Sequence, residues 1–251
     1  MQTVAVVLAG GSGRRFGSAK PKQLGLLAGR TLIEHCVRAF DAAPAVDEVV
    51  VVAAPEIEAE VRSGAAGYRK VTGVILGGAS RTDSTRQALS WLRGKAAAAD
   101  SKVLFHDAAR PLIDQRTIAD CVAALDDWQA VSVVVPSADT IVEVAGGAIR
   151  RVLPRDALAR CQTPQGFRLS VICRAYELAD ADPGFAAVPA TDDCGVVLRY
   201  LPEIAIGVVE GSERNLKITY AADLTVAHAL AERSETAVSS GRLEPDIGRG
   251  P

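Results

Sequence analysis

The sequence predicts an α/β fold with a doubly wound, mostly parallel sheet, and two observations lead to this prediction. Short apolar runs rich in β-branched residues recur along the chain, and segments in which apolar residues have helical spacing lie between them. The apolar runs show no polar face, which is typical of strands covered by helices on both sides. With 251 residues, 49% of them hydrophobic, the chain can bury one large core.

Six of the apolar runs are predicted strands, at residues 4–8, 49–52, 71–76, 103–105, 131–135 and 204–209. Helical spacing is found at residues 32–40, 88–92 and 118–125. The first helix begins with a capping-box pattern, Thr31 and Glu34, and we expect Asp83 or Ser84 to cap the second. Because ligands of such sheets bind beyond the carboxyl ends of the strands, we expect segments 10–23, 77–84 and 106–111 and the stretch after residue 209 to converge.

Residues 139–152 break the alternation of strands and helices. Their sequence, DTIVEVAGGAIRRV, has two β-prone runs on either side of Gly146 and Gly147, which is typical of a β-hairpin. A hairpin cannot bury Ile141, Val142 and Val144 by itself, and isolated hairpins are only marginally stable in water. We therefore expect a projecting β-hairpin arm at about residues 137–160 that packs on a second copy of the chain, forming a homodimer.

Charge and cysteine content exclude several classes of protein. The formal net charge of -2 gives no basic surface for nucleic acid. The five cysteines are scattered, which argues against a disulfide framework or a zinc knuckle and favours buried free thiols.

We find no signal peptide and no apolar run of membrane-spanning length, so we expect no membrane partner and a cytoplasmic location. A single domain over residues 1–232 and a flexible tail over residues 233–251 are expected.

The segment that follows the first strand, LAGGSGRRFGSAKPKQ at residues 8–23, combines four glycines with four cations. Backbone N–H groups of glycine-rich turns surround phosphate oxygens, since no Cβ atom keeps the ligand away. The four cations are Arg14, Arg15, Lys20 and Lys22. This density of positive charge favours a triphosphate, whose leaving group has to be stabilised, over a merely solvent-exposed basic loop.

Two better-known phosphate loops do not fit this segment. A Walker loop requires G-x-x-x-x-G-K-[ST], and no window of the segment has this pattern. In the dinucleotide fingerprint the third glycine would fall on Phe16. The acidic residue expected at the end of the second strand is also absent, because that strand leads into Ala53, Ala54 and Pro55. A dehydrogenase is therefore disfavoured.

Several further motifs resemble those of one family. LAGGSGRRF and PKQL are followed by GGASRTDSTRQAL at 77–89, HDAARPLI at 106–113, DTIVEV at 139–144, LPR at 153–155, TPQGF at 163–167, TDD at 191–193 and NLKIT at 215–219. In this order they resemble 2-C-methyl-D-erythritol 4-phosphate cytidylyltransferases over about residues 3–230. The resemblance implies a Rossmann-like nucleotidyltransferase fold and transfer of CMP from CTP to 2-C-methyl-D-erythritol 4-phosphate in the non-mevalonate isoprenoid pathway. It also implies a homodimer whose arms help to build each active site.

The resemblance further implies which residues bind CTP. The phosphates are assigned to the glycine loop, the cytosine and ribose to the loop before the second helix, and other contacts to the end of the fourth strand. In that order the residues are Ala9, Gly10, Gly11 and Gly13; Gly77, Gly78 and Ser84; and Asp107 and Ala108. Asp107 is also the expected Mg²⁺ ligand, because a carboxylate beside a triphosphate needs an intervening cation. Its alternative role is a helix cap or a salt bridge.

Three cations are expected to be catalytic by stabilising the anions of the reaction: Arg15, Lys22 and Lys217. The acceptor is a phosphate monoester that is already anionic, so no base is needed, and His106 is expected to be a packed residue instead. By resemblance, the acceptor contacts Arg110 and Thr191 of one subunit, and Thr140, Arg155 and Thr163 from the arm region of the other. Asp193 stands where the family often has glutamate, which changes the contact expected there.

Three alternatives remain open at this point. A ribitol 5-phosphate cytidylyltransferase shares the glycine loop and HDAARP, and its linear acceptor differs from the methyl-branched one by contacts worth only about 1–3 kcal/mol. A sugar-1-phosphate nucleotidyltransferase is more distant, because of the arm and the TPQGF segment. A non-catalytic nucleotide-binding scaffold dimer is disfavoured, because binding alone does not require Arg15, Lys22 and Asp107 together.

Overall fold

A seven-stranded sheet forms the centre of the molecule. The structure is a computed structural model that describes residues 1–10, 21–95, 100–188 and 190–240, with side chains as far as residue 232. The strands of the sheet are β1 (Thr3–Ala9), β4 (Glu48–Ala53), β5 (Val71–Leu76), β6 (Lys102–Asp107), β7 (Ala130–Pro136), β10 (Ala159–Arg168) and β11 (Ile206–Glu210). Their order across the sheet is β11-β7-β10-β6-β1-β4-β5. The six predicted strands are thus confirmed.

Helices cover both faces of this sheet. They are α1 (Leu32–Ala42), α2 (Glu58–Ala65), α3 (Arg81–Gly94), α4 (Gln115–Asp127), α5 (Leu169–Ala181) and α6 (Asp193–Tyr200). The helix α7 (Ala221–Ser240) packs instead against Leu27 and Leu32, outside these two cores. Two short antiparallel strands, β2 (Leu26–Leu27) and β3 (Arg30–Thr31), precede α1. Among the described residues, none of the helices is long and apolar enough to cross a lipid bilayer.

The residues of β1 show why the strands have no polar face. Ala5 and Val7 belong to a core that α1, α2 and α4 cover, whereas Val4 and Val6 belong to a second core beneath α3, α5 and α6. Successive side chains of a strand point to opposite faces, so a strand between two cores has to be apolar at every position. The doubly wound α/β architecture is therefore confirmed.

The strand β10 was not predicted, and it makes the sheet mixed rather than parallel. It lies between β6 and β7 and runs antiparallel to both, whereas the other described neighbours in the sheet are parallel. Its sequence, ARCQTPQGFR, contains charged and polar residues, proline and glycine, which weaken the strand signal. Because β10 runs backwards, its first half lies at the same edge as the carboxyl ends of β1 and β6.

The helix caps are partly those expected from the sequence. Thr31 and Glu34 form the predicted capping box of α1: the Thr31 side chain accepts from the Glu34 N–H, and the Glu34 carboxylate accepts from the Thr31 N–H. The predicted cap of α3 is wrong, because α3 begins earlier, at Arg81. Ser80 is its N-cap, and Asp83 completes that capping box from inside the first turn. This arrangement frees the Ser84 side chain for a different contact.

The predicted hairpin arm is confirmed. Its strands are β8 (Val142–Ala145) and β9 (Ala148–Val152), and the turn between them has positive φ at Gly146 (60°) and Gly147 (75°), as a two-residue hairpin turn requires. Apolar side chains remain on its surface, with Val144 and Val152 each 60% exposed and Ile149 64% exposed. The arm connects β7 to β10 and projects from the sheet edge that β7 and β10 share.

Two predictions about the remaining chain concern its C-terminal tail and its cysteines. The helix α7 continues to Ser240, past the expected domain end at residue 232, and residues 241–251 lie outside the described part. The five cysteines are free, and four of them are buried as predicted. For Cys161 the prediction of a buried thiol is wrong, because the start of β10 lies at the exposed base of the arm.

Candidate active site

The segments after β1, β5 and β6 converge, as predicted, on one cavity at the carboxyl edge of the sheet. It has a volume of about 120 Å³, and it is lined by Leu8, Gly10, Lys22, Gln23, Arg81, Ser84, Asp107, Ala109 and Lys217. Leu8 and Asp107 are partners in neighbouring strands, which fixes the position of the carboxylate at the end of β1. The loop that follows β11 supplies Lys217, which lies 110 positions along the chain from Asp107.

Two cations contact the carboxylate of Asp107. Lys217 Nζ lies 2.7 Å from Oδ2, and Arg81 Nε lies 3.4 Å from Oδ1. Burial alone raises the pKa of Asp107, but the charges of Arg81 and Lys217 outweigh it and hold that pKa well below its usual range. Of the two alternative roles of Asp107, the salt bridge is observed and the helix cap is not, because Asp107 ends a strand. It is an ionised group in a cationic site.

Lys22 lies in the same cavity, in a short 3-10 turn over residues Lys22–Leu24. Its Nζ donates to the carbonyl of Ile218 at 2.9 Å, which brings this ammonium beside the backbone of the residue that follows Lys217. Two of the three predicted catalytic cations are therefore close together. The third, Arg15, and the predicted phosphate-binding Gly11 and Gly13 lie outside the described residues.

Glycines form the wall of the cavity around Ser84. The Ser84 hydroxyl accepts from the Gly78 N–H at 3.3 Å and donates to the Ser80 carbonyl at 2.9 Å. A Cβ atom on Gly10 would lie 2.5 Å from Ser84 Oγ, and one on Gly78 would lie 2.2 Å from the Asp83 Cβ. Glycine is required here because two loops and the start of α3 approach at distances that no side chain allows.

A second cavity, of about 520 Å³, adjoins the first at Gly10. Its other lining residues are Pro21, Ala54, Pro55, Glu56, Gly77, Gly78 and Ala79. This volume is in the range of small-molecule sites, and the polar backbone groups of its loops can fix the orientation of a planar base. Glu56 follows the end of β4 closely, so a carboxylate is present near the place where the dinucleotide fingerprint would have one.

A cavity of about 540 Å³ between α1 and α2 does not fit the same ligand. Its described lining is largely apolar and includes Glu34 and Glu60 but no cation. A triphosphate would be repelled there, whereas the cavity with Lys22 and Lys217 attracts it.

The comparisons with known proteins agree with this geometry. A family model described as IspD, 2-C-methyl-D-erythritol 4-phosphate cytidylyltransferase, matches residues 3–233. The chain belongs to this cytidylyltransferase family. The protein of that name from Thermobifida fusca (strain YX) is 52% identical over 236 residues, covering 91% of this chain and 93% of the relative.

Other relatives define how far the likeness extends. The crystal structure of the 2-C-methyl-D-erythritol 4-phosphate cytidylyltransferase from Thermus thermophilus has a TM-score of 0.70 and 31% identity, covering 90% of this chain and 98% of that one. A bifunctional ribulose 5-phosphate reductase/CDP-ribitol pyrophosphorylase from Haemophilus influenzae is 35% identical over 233 residues, covering 91% of this chain and 48% of the relative. The predicted family and the nucleotidyltransferase fold are confirmed.

Thr163, which the resemblance to the cytidylyltransferases assigned to the partner's arm, lies instead in β10, beside Asp107 of its own chain. Its Oγ1 accepts from the Asp107 N–H at 3.1 Å and lies 3.0 Å from His106 Nδ1. The reason is topological, because the chain has already returned from the arm to the centre of the sheet when it reaches Thr163. The side chain is buried and its hydroxyl is occupied by these two bonds.

His106 is a packed residue, as predicted, and its tautomer follows from its partners. Its Nε2 lies 3.0 Å from the Arg110 carbonyl, which can only accept, so Nε2 carries the proton and Nδ1 accepts from the Thr163 hydroxyl. Burial lowers the pKa of His106 to about 4. The neutral imidazole therefore joins Asp107, Thr163 and Arg110 in one chain of hydrogen bonds.

Two further predicted residues contribute mainly to the frame of the site. Arg110 is buried and donates to the carbonyls of Asn215 (2.8 Å) and Cys161 (3.2 Å), and burial lowers its pKa. Ala108 is buried, and its N–H donates to the Leu8 carbonyl at 3.0 Å. Arg110 thus connects the NLKIT segment to β10, and Ala108 extends the pairing of β6 with β1.

The remaining predicted acceptor residues lie on the surface of the chain. Thr140 and Arg155 belong to the arm region, where Arg155 Nη1 is 3.4 Å from the Ala138 carbonyl, and Thr191 precedes α6. Within the described part of the chain, no hydrogen bond or ion pair joins these three side chains to Lys22, Asp107 or Lys217.

Sequence reasoning noted Asp193 as a departure from the family pattern but missed the carboxylate network that it forms behind the cavity. Arg81 bridges Asp107 and Asp193, which is completely buried and accepts from Thr85 and Tyr176. Gln165 of β10 accepts from the N–H of Asp193 at 3.2 Å. These residues come from segments far apart in the chain, so spacing in the sequence gave no signal for them.

Proposed function

We propose that this chain transfers CMP from CTP to 2-C-methyl-D-erythritol 4-phosphate, giving 4-diphosphocytidyl-2-C-methyl-D-erythritol and pyrophosphate. Family membership is the observation that carries this proposal, because the match extends over residues 3–233. The cluster of Lys22, Asp107 and Lys217 at the end of the sheet supplies the charges that the reaction needs.

In this proposal the nucleotide spans the two adjoining cavities. Cytosine and ribose occupy the larger cavity beside Gly77 and Gly78, and the phosphates extend past Gly10 towards Lys22 and Lys217. Close-packed backbone supplies donors and acceptors at fixed positions, which is what discrimination between pyrimidines requires. The phosphate-binding role of Gly11, Gly13 and Arg15 belongs to the same proposal.

The reaction is an in-line displacement between two anions. An oxygen of the acceptor phosphate forms a bond with the α-phosphorus of CTP, the bond from this phosphorus to the bridging α–β oxygen breaks, and pyrophosphate leaves with the electron pair. The nucleophile is ionised near neutral pH, so no side chain has to remove a proton. Arg15, Lys22 and Lys217 offset the repulsion and stabilise the transition state and the leaving group.

Mg²⁺ is part of this proposal, with Asp107 as its ligand. The residues present fit the ion, because Mg²⁺ is commonly held by one or two carboxylates together with substrate phosphates. Within the described residues no group of three or more His, Cys, Asp or Glu side chains forms a metal site, so a nucleotide-bound ion fits better than a protein-caged one. When bound, the ion would neutralise charge on the phosphates.

The proposal also includes a homodimer through the arm. Exposed Val144, Ile149 and Val152 give the hairpin an apolar surface that a second arm would bury. In such a dimer Thr140 and Arg155 would contact the acceptor in the partner's site, and Arg155 can bind two phosphate oxygens. A cytoplasmic location is proposed as well, since five free cysteines fit a reducing compartment.

Ribitol 5-phosphate is the alternative acceptor. The ribitol-specific relative is 35% identical to this chain, against 52% for the methylerythritol-specific one, which favours the branched acceptor. Pyrophosphate release with each acceptor, with CTP, UTP and ATP in turn, and with and without Mg²⁺, tests the proposal. We expect the highest kcat/KM for CTP with 2-C-methyl-D-erythritol 4-phosphate; a higher value with ribitol 5-phosphate would reverse the assignment.

A further inference from the structure

Arg81 occupies an electrostatically unfavourable place for an arginine. It is the first residue of α3, directly after the N-cap Ser80. The N-terminus of a helix carries partial positive charge, so a cation there is destabilising unless anions compensate it. In this structure two carboxylates do so: Arg81 Nη1 lies 2.7 Å from Asp193 Oδ2, and Arg81 Nε lies 3.4 Å from Asp107 Oδ1.

Asp193 is a rigid anchor for this guanidinium. It is 0% exposed, and its Oδ1 accepts from the hydroxyls of Thr85 (3.0 Å) and Tyr176 (2.7 Å). Thr85 lies four residues after Arg81, so one face of α3 directs both side chains to the same carboxylate. Burial first, and then the charge of Asp193, raises the pKa of Tyr176, so its hydroxyl stays protonated and keeps donating.

The two carboxylate oxygens of Asp107, in contrast, contact two different cations. Arg81 is 25% exposed and contacts Oδ1, whereas Lys217 is 42% exposed and contacts Oδ2. A lysine at the cavity wall can leave its carboxylate when phosphates arrive, because its side chain has several rotatable bonds. The guanidinium of Arg81 is held by a second, buried carboxylate as well, which restrains it beside Asp107.

We propose that Arg81 is a positioning residue for the transfer reaction. Its guanidinium bridges Asp107 Oδ1 and the buried carboxylate of Asp193, which fixes the orientation of the Asp107 carboxylate. Asp107 Oδ2 therefore keeps a fixed place in the nucleotide cavity, beside Lys217. The inference rests on the proposed function. Because Arg81 also begins the helix whose capping loop contains Gly78, it connects the carboxylate to the wall of the base cavity.

A double-mutant cycle tests this role. Arg81→Gln should lower kcat roughly 10- to 100-fold, the range found when residues that orient a ligand-binding group are replaced. Arg81→Lys should restore only part of this loss, since one ammonium cannot contact both carboxylates in the same way. If Arg81 acts through Asp107, adding Arg81→Gln to an Asp107→Asn variant should lower kcat by less than a further factor of about three.

Controls separate positioning from general stability. Arg93→Gln removes another arginine of α3, whose partner Glu177 lies on the surface away from the cavity, and it should leave kcat unchanged. Calorimetric titration with CTP and Mg²⁺ supplies a second measurement, in which Arg81→Gln should weaken binding at least fivefold. Circular dichroism measures whether the variants have equal folded fractions. If Arg81→Gln does not fold, Asp193→Asn replaces it, because it keeps an acceptor for Thr85 and Tyr176. It should also lower kcat and weaken CTP binding.

The outcomes are distinguishable. A wild-type enzyme without pyrophosphate release would contradict the proposed function itself. An active wild type, together with multiplicative losses in the Arg81→Gln/Asp107→Asn double variant or unchanged CTP binding in the single variant, would overturn the positioning role alone.

Discussion

Lys217 Nζ lies 2.7 Å from Asp107 Oδ2, so a cation expected to stabilise phosphate is paired with the carboxylate expected to hold Mg²⁺. The pair keeps both charges in the cavity before substrate arrives. Lys217 is 42% exposed, which leaves its ammonium accessible to an incoming phosphate. We expect binding of the nucleotide to exchange one anion partner of Lys217, the Asp107 carboxylate, for another, a phosphate.

We predict that Lys217→Met lowers kcat about 10²- to 10³-fold, because the reaction loses a cation that stabilises its anionic transition state. Asp107 also loses one of its two cationic partners in this variant, but it keeps Arg81, so the fold should be retained. Steady-state kinetics and a thermal unfolding scan measure both effects. An unchanged kcat in the folded variant would remove Lys217 from the reaction.

The approach of Gly78 to α3 predicts a steric effect on nucleotide binding. A Cβ atom at this position would lie 2.2 Å from the Asp83 Cβ, so Gly78→Ala has to displace the start of α3. We expect the KM for CTP to rise about tenfold, since overpacking of this kind costs about 1–3 kcal/mol. Gly94→Ala in α3 is the control, because no described atom outside the backbone of that helix lies within 4 Å of the added Cβ. Equal KM values for the two variants would contradict the assigned base cavity.

The buried His106 predicts a loss of stability in mild acid. Its pKa is about 4 in the folded protein and 6.5 when unperturbed. Above pH 6.5 both states are neutral; as pH falls towards 4, the unfolded chain takes up a proton that the folded protein does not, so unfolding becomes easier. The loss should reach about 3 kcal/mol. Urea unfolding between pH 7.5 and 4 should show a smaller loss in His106→Gln; parallel curves would be evidence against a neutral His106.

The proposed dimer, in which each arm contributes to the partner's site, predicts complementation between defective subunits. Lys22→Ala should abolish most of kcat through loss of a cation at the phosphates, and Arg155→Ala should raise the KM for the acceptor. In a mixed dimer, one site combines an intact Lys22 with the partner's intact Arg155. Refolded one-to-one mixtures should therefore recover about a quarter of the wild-type activity. Verified mixed dimers without recovery would mean that each subunit builds its own site.

Local patterns predicted the parts of the fold that depend on neighbouring residues. The runs at β1 and β4 are apolar at nearly every position, and Thr31 with Glu34 satisfies a capping box within four residues. The strand β10 could not be recognised in the same way, because its place between β6 and β7 is stabilised by pairing on both sides rather than by its own sequence. Thr163 was therefore assigned to the arm instead of the sheet.

In the candidate site, too, local patterns predicted some features, whereas others depend on contacts between distant segments. Glycines and cations in short motifs led to the proposed place of phosphate binding, and the sheet rule predicted that Gly10, Gly77 and Asp107 converge, which is confirmed. The Arg81–Asp193 pair could not be predicted, because its residues are separated by more than a hundred positions and meet only where the fold brings the starts of α3 and α6 together. Likewise, the occupation of Arg110 by two carbonyls depends on segments that only the fold brings together.

A crystal structure with CTP and Mg²⁺ tests the central claim most directly. We predict that the triphosphate contacts Lys22 and Lys217, that the ion lies on Asp107, and that the cytosine lies beside Gly77 and Gly78. Cytidine bound elsewhere, for example in the cavity between α1 and α2, would contradict the account.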